Sequence, residues 1–448
     1  GWNDVPWHNP GIRAPNLQRL ARGGVILEQN YVQPVCSPTR AALMTGRYPY
    51  RFGMQNGVLR PLEPKGLSLD LPFLADELRQ RGYSTHAIGK WHLGYCKWGF
   101  TPTFRGFDSF RGYYLGAEDY YDHVANGGPN ITGYDLRSNT KVDWSASGRY
   151  STVMFGRVQA ADHLAPKGAR TESPRLGSQP CQCPLENTPP TSEALATDPL
   201  SDSCLTFPGM VTAMDDAVGF LEQELVRLGL WNNTVLIFTS DNGGQVLAGG
   251  NNWPLRGNKN TLWEGGTRVP AFVASPLLKS PSRTSHSLVH VVDWFPTLVA
   301  LAGGGPPLSG LDGVDQWKTI SECGPSVRQS FVYNLSNRSS LAGAVRWGDF
   351  KLVHGFGGRP DGWYPEPLLN KTNVSMSDEK RSASLLLFNL SNDPYERKDL
   401  SSQMPDLTAR LDGLLLDQAA SMVPSVRLPD DPRGDPSRWG GAYSPGWC

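Results

Sequence analysis

Three small groups of residues combine types and spacings from which a catalytic site can be built. The first is Cys36-Ser37-Pro38-Thr39-Arg40, a cysteine four residues ahead of an arginine with a proline between them. Pro38 suits the first turn of a helix, where no backbone N–H is needed. Ser37 or Thr39 can cap the orphan donors of that turn. Ala41, Ala42, Leu43 and Met44 continue as good helix formers, and Gly46 ends the run. A cysteine at the mouth of such a helix has its anion favoured by the dipole and by Arg40. The same stretch also fits a capped helix with an inert cysteine. The second group is Lys90 and His92, two apart, which share a side if the segment is extended. A structural histidine beside Trp91 is the alternative there. The third is Asp241-Asn242, which offers hard oxygen ligands for Ca²⁺ or Mg²⁺. An Asp-Asn turn is the alternative, and the following Gly243-Gly244 allows close backbone approach in both cases.

Each group sits beside an element that must position it. Residues 16–21 read as a helix and 24–29 as a buried strand leading towards Cys36. Leu71, Leu74 and Leu78 recur at helical spacing over 71–81, closed by Gly82, and 83–89 form a short strand. Lys90 and His92 therefore fall just past a strand end, the edge where open α/β sheets bind ligands. Over 209–228, Met210, Val211, Met214, Val218, Leu221, Leu225 and Leu228 line one side of a helix, with Asp215, Asp216, Glu222 and Glu224 elsewhere. Residues 234–240 are an apolar, β-branched run that predicts a central strand of a parallel sheet, with Asp241 and Asn242 at its C-terminal end. A strand over 269–275 and a helix over 291–302 follow. Beyond 325 the pattern changes. Residues 341–354 and 384–389 alternate like antiparallel strands around a Gly/Pro-rich excursion at 355–370, and 404–422 form a closing helix. The expected division is a catalytic domain over 1–325 and a smaller domain over 326–448. Residues 164–208, rich in Pro, Ser, Thr and Gly without an apolar period, predict an irregular or disordered insertion.

Cys36, Pro38, Arg40, Leu43, Thr45, Gly46 and Arg47 match C-x-P-x-R-x-x-L-x-T-G-R, and on these residues the chain resembles the type I sulfatases. Further stretches resemble the arylsulfatase B branch in the same order. They are Gly89-Lys90-Trp91-His92-Leu93-Gly94, Arg105-Gly106-Phe107-Asp108, Asp241-Asn242-Gly243-Gly244-Gln245, residues 250–257 and Trp263-Glu264-Gly265-Gly266. The resemblance implies an alkaline-phosphatase-like α/β fold. Its large mixed, mostly parallel sheet is flanked by helices, and a smaller C-terminal α+β domain carries an antiparallel sheet. It implies hydrolysis of a sulfate ester, on a sulfated sugar of the glycosaminoglycan type (N-acetylgalactosamine 4-sulfate) or on an aryl sulfate. In the family the cysteine, here Cys36, is oxidised to formylglycine by the formylglycine-generating enzyme in the endoplasmic reticulum. Arg40 would hold the modified residue and Lys90 would contact it. His92 would accept a proton as sulfate is released, a task that suits a group titrating near the working pH. Lys259 matches the lysine that binds the sulfate oxygens; a solvated loop lysine is its alternative. Asp241, Asn242 and the modified Cys36 match ligands of Ca²⁺ or Mg²⁺.

The sequence departs from the family twice. The family opens on a strand ending in an Asp-Asp pair, two further metal ligands. This sequence starts just after that point, and Asp4 does not take the place. The remaining ligands are fewer than the six to eight oxygens that Ca²⁺ takes. The family also has a strand and then a histidine that binds sulfate and protonates the leaving alcohol, between an expected helix at 151–161 and the one near 209. The irregular stretch occupies that place; His163, expected at a helix end, is not given the role. A catalytically impaired sulfatase-like protein and a phosphate or phosphonate monoester hydrolase are the two other readings.

The 448 residues suffice for a sizeable core and about two or three domains. Lys+Arg and Asp+Glu are both 42, which removes any global electrostatic argument for nucleic acid or an anionic membrane. Forty-nine Gly and 37 Pro point to a loop-rich enzyme rather than a fibre or bundle. No apolar run is long enough for a transmembrane segment, and the polar Gly1-Trp2-Asn3-Asp4 does not read as a signal peptide. With Cys36 set aside, Cys96, Cys181, Cys183, Cys204, Cys323 and Cys448 allow three disulfides in about fifteen connectivities. Sequons at Asn130, Asn232, Asn334, Asn337, Asn370, Asn373 and Asn389 favour the secretory pathway, with a lysosomal or secreted destination.

Overall fold

The structure is a computed structural model and describes residues 1–158, 175–178, 207–305, 308–338, 340–366 and 385–448. The helix Pro15–Gly23 starts on a proline, which spares one orphan donor, and turns Leu17, Leu20 and Ala21 inward. Its first amides are capped from a distance. Asp215 Oδ1 accepts from Leu17 N at 2.6 Å and Oδ2 from Asn16 N at 3.2 Å. Asp215 therefore lies on the buried side of the helix Phe207–Arg227, not on the polar side that its spacing predicts. A buried carboxylate is tolerated where helix N-terminal donors meet it. Met210, Val211 and Met214 are buried as expected, and Val211 and Met214 join Leu17, Leu20 and Phe272 in one cluster.

The α/β body contains two four- to five-stranded sheets. In one, Val25–Leu27 lies between Arg283–Ser285, parallel, and Ala271–Ala274, antiparallel; Leu236–Thr239 pairs antiparallel on the far side of Ala271–Ala274. Leu236–Thr239, expected at the centre of a parallel sheet, is half-buried and ends this ladder among the described strands. An apolar, β-branched run reports a preference for burial, not a pairing direction or a place in the strand order. In the other sheet Ser84–Lys90 is flanked by Ser109–Tyr113 and Arg175–Ser178, both parallel, and Arg137–Ser138 and Lys141–Val142 extend it antiparallel. Arg175–Ser178 corrects the reading of 164–208 as wholly irregular. Main-chain pairing to a neighbouring strand satisfies N–H and C=O groups without any apolar period. Most of that stretch, with His163 just before it, lies outside the described residues. The helix expected at 151–161 is described as Ser151–Val158.

The C-terminal sheet is antiparallel throughout, in the order Ser330–Ser336, Ala342–Trp347, Phe350–His354 and Leu385–Asn389. The helix Pro405–Ala420 buries Thr408, Leu411 and Leu415. One apolar cluster runs from Val25, Val273 and Val289 through Phe331, Val345 and Leu352 to Leu411, so the core is continuous past residue 325. Residues 423–448 then return across the first unit. Val423 N donates to Tyr50 O at 2.8 Å, Tyr443 N to Tyr134 O at 3.0 Å, and Cys448 is disulfide-bonded to Cys96. Cys323 is exposed and free, and Cys181, Cys183 and Cys204 lie outside the described residues. Asn334 is half-buried and its Nδ2 donates to Gln55 O at 3.1 Å, whereas Asn130, Asn232 and Asn337 are exposed. Among the described residues no helix is long and apolar enough to cross a membrane.

Candidate active site

The helix Cys36–Thr45 begins on the cysteine itself, with Val35 extended before it and Gly46 left-handed after it (φ +66°). Gly46 N closes the last turn on Ala42 O at 2.9 Å. Neither expected cap forms. Ser37 Oγ donates to His92 O at 3.0 Å and accepts from Leu59 N at 3.2 Å, while Thr39 Oγ1 donates to Gln33 O at 3.1 Å. These hydroxyls bind neighbouring segments because the helix mouth is buried under them, and a buried hydroxyl must find a partner wherever one lies. Ser37 thereby ties the Cys36 helix to the His92 loop.

Arg40 is buried and held rigidly. Its Nε and one terminal nitrogen reach Asp241 Oδ2 at 3.1 and 2.9 Å, and the other donates to Lys90 O at 2.8 Å. Three sequence-distant groups thus meet: Arg40 from the helix, Asp241 from the turn after Leu236–Thr239, and Lys90 from the end of Ser84–Lys90. Burial brings the Lys90 ammonium down to about 8, opposed by Cys36. Burial works against the Cys36 thiolate, and so does Asp241. Lys90, Lys259 and Arg40 outweigh them and leave the thiol below its ordinary value. Lys259 is half-buried; its backbone N donates to Gly244 O at 3.2 Å, and its charge acts on Cys36, Lys90 and His92 alike.

His92 does not sit on the extended segment expected; its φ is +58°. The backbone turn directs the ring across Gly116, where an added Cβ would lie 2.6 Å from His92 Cε1. Nε2 is 3.0 Å from Leu59 O, and because a carbonyl only accepts, Nε2 carries the proton. Nδ1 is buried and has no partner. Burial, with Lys90 next, drives this imidazole well below its ordinary value, so it is neutral. A neutral buried imidazole with one vacant lone pair is a proton acceptor.

The turn after Leu236–Thr239 leaves two buried oxygens without partners, Asp241 Oδ1 and Asn242 Oδ1. Unmet oxygens of this kind fit the ligand chemistry of a hard cation. Among the described residues no group of three or more His, Cys, Asp or Glu side chains is placed to hold a metal ion. Gly243 is required by packing: a Cβ there would lie 1.8 Å from Gly265 O, and Gly243 N donates to Gly266 O at 2.9 Å. Asn252 closes the turn from the other side, accepting from Gly244 N at 2.7 Å and donating to Gly244 O at 2.8 Å.

Sequence reasoning missed Leu59, Gly116 and Asn252. Only Asn252 lay in a quoted motif; a carbonyl acceptor and a glycine that makes room for a ring leave no local signal. Other motif residues turn out to be scaffold. Asp108 Oδ2 accepts from Thr85 N at 2.9 Å, the Arg105 guanidinium lies 4.5 Å from the Phe73 ring centre, and buried Trp263 donates to Gly358 O at 3.1 Å.

A helix-borne residue 36 ringed by Arg40, Lys90 and Lys259, with a neutral base nearby, is suited to an ester that carries negative charge. Comparison with known proteins agrees. The family described as Sulfatase matches residues 1–163 and 166–304. Arylsulfatase J of Mus musculus is 38% identical over 99% of this chain and 78% of that protein. Arylsulfatase A of Homo sapiens is 33% identical over 89% of this chain and 81% of its own length. Among solved structures, Ps i-CgsB in complex with k-i-k-neocarrahexaose superposes with a TM-score of 0.77 at 26% identity, covering 96% of this chain and 93% of that one. The chain belongs to the sulfatase family and is a sulfuric ester hydrolase.

Proposed function

We propose that this protein cleaves the sulfate ester of a sulfated sugar of the glycosaminoglycan type, N-acetylgalactosamine 4-sulfate, or of an aryl sulfate. Cys36 is its nucleophile position, converted to formylglycine by the formylglycine-generating enzyme, and the protein works in the lysosome or outside the cell. The observation that carries this reading is the convergence of Arg40, Lys90 and Lys259 on residue 36 beside a His92 whose Nδ1 is vacant. Formylglycine, when formed, supplies a hydrated aldehyde as nucleophile. Asp241, Asn242 and residue 36 would hold Ca²⁺ or Mg²⁺, which supplies charge for the sulfonyl oxygens. Arg40, locked by Asp241 and the Lys90 carbonyl, orients the group at position 36. Lys90 contacts the group at position 36, and Lys259 binds the sulfonyl oxygens. His92 keeps its Nε2 proton on Leu59 O and takes a proton at Nδ1.

An aryl sulfate assay with and without co-expressed formylglycine-generating enzyme tests the reading, with mass spectrometry of residue 36. Turnover is expected to track the aldehyde. A chain that carries the aldehyde and turns nothing over is the impaired sulfatase-like protein instead, and preference for phosphate esters would select the phosphoesterase reading. Cys36→Ala should abolish turnover. Cys96→Ala should keep it and lose only the disulfide's contribution, about 2–5 kcal/mol of stability.

A further inference from the structure

Outside the pocket, one group of charged side chains is fully buried and plays no part in the chemistry above. Glu264, Lys351 and Glu396 are 0%, 0% and 1% exposed. Lys351, on the strand Phe350–His354, places Nζ 3.0 Å from Glu264 Oε1 and 2.8 Å from Glu396 Oε1. Glu396 Oε2 accepts from the backbone N of Glu264 at 2.8 Å. Tyr333 OH and Tyr31 OH donate to the two Glu264 oxygens, each at 2.8 Å. Arg268 and Arg346 also act on Glu264, and Arg256 donates to Glu396 O at 3.3 Å. Buried ions are costly unless paired, and apolar packing would serve stability as well, so such a cluster points to a need for one defined geometry.

What that geometry controls is visible in the backbone. Glu264 starts the short helix Glu264–Thr267. Gly266 O accepts from Gly243 N at 2.9 Å, directly behind Asp241 and Asn242. Thr267 O accepts from Val32 N at 2.9 Å, and Asn260 N donates to Pro34 O at 2.7 Å, on the segment that enters Cys36. Residues 257–267 therefore back both halves of the site and carry Lys259. The ammonium that Glu264 meets directly comes from the C-terminal sheet.

We propose that Lys351 is a positioning residue for sulfate ester hydrolysis: through Glu264 and Glu396 it fixes the 257–267 segment, and with it Lys259 and the Asp241–Asn242 turn. The proposal rests on the reading of Lys259, Asp241 and Asn242 as binding groups. Removing the Lys351 ammonium leaves two buried carboxylates without the charge between them, and one of them must take up a proton. The fault is then relieved in acid and worsens as pH rises.

The test measures kcat and KM for an aryl sulfate against pH, per folded molecule, in the aldehyde-bearing protein and its variants. Lys351→Met is expected to lower kcat/KM about ten- to a hundredfold near neutral pH, mainly through KM, with the loss shrinking in acid. Adding Glu396→Gln, which removes the second charge and keeps an acceptor for Glu264 N, should restore most of the loss and flatten the pH dependence. A folded Lys351→Met with parental constants at every pH overturns the proposal, as does a double variant no better than the single. Should Lys351→Met not fold, Lys351→Gln, which removes the charge and keeps a hydrogen-bonding end, carries the test with the same two outcomes. Lys259→Ala is run alongside. If its KM is parental, the reading of the site fails; if only Lys351→Met is parental, the positioning role fails alone.

Discussion

Two buried histidines, His92 and His123, share a left-handed backbone at φ +58° and differ in what their ring nitrogens face. His92 spends Nε2 on a carbonyl and leaves Nδ1 vacant. His123 also places Nε2 on a carbonyl, Ala146 O at 3.0 Å, but its Nδ1 lies 3.4 Å from both Ser151 Oγ and Glu118 Oε2. Burial pulls on both rings. With Lys90 nearby it leaves His92 neutral, whereas at His123 the Glu118 carboxylate outweighs it and holds the ring above its ordinary value. Ser151, His123 and Glu118 have the composition of a nucleophilic triad without its geometry. Serine and carboxylate meet the same nitrogen, and the other nitrogen is occupied, so no relay from one side of the ring to the other exists. Residue types nominate a site; vacant lone pairs and their direction make one.

The contrast can be broken from either side. The largest effect is expected from His92→Asn, which tolerates the same backbone. Turnover should fall about 10²–10⁴-fold while thermal denaturation shifts little, because a proton acceptor is lost from a group that binds little else. Gly116→Ala should come next, lowering kcat about ten- to a hundredfold by displacing the His92 ring without touching its chemistry. His123→Gln should reverse the pattern, costing about 1–3 kcal/mol in denaturant unfolding with kcat per folded molecule retained. The smallest effect is in pH. His123 is raised above 6.5, so its contribution is full below that value and is lost as pH rises through the raised folded value. Glu118 is raised from 4.5, chiefly by burial, and acts in the same direction. The parent's melting temperature should therefore fall as pH rises, and His123→Gln should move that fall along the pH axis, because it removes the imidazole and with it the group that holds Glu118 down. A curve of the same shape as the parent's would place the dependence elsewhere.

Much of this arrangement is legible in the order of residues alone. The helix at Cys36 and its glycine stop, the strand that delivers Lys90 and the strand that delivers Asp241 follow from propensity, period and end signals. These are properties of neighbouring residues. The pairing direction of Leu236–Thr239, the strand Arg175–Ser178, the inward turn of Asp215 and the partners of Ser37 and Thr39 are not legible there. Each depends on what another part of the chain presents.

By itself the sequence determined the chemistry on offer: a cysteine opening a helix, an arginine one turn on, a lysine and histidine past a strand, an acid and amide past another. It also determined the family, because those motifs occur in order. Only the tertiary structure decided which groups are spent and which remain available. It joined Arg40 to Asp241, gave Nε2 of His92 to Leu59 and left Nδ1 vacant, and set Lys351 of the C-terminal sheet against Glu264. The physical reason is range. Propensity and capping act over a few residues, whereas burial, Coulomb interaction and hydrogen-bond satisfaction depend on whichever atoms the fold brings within a few ångströms.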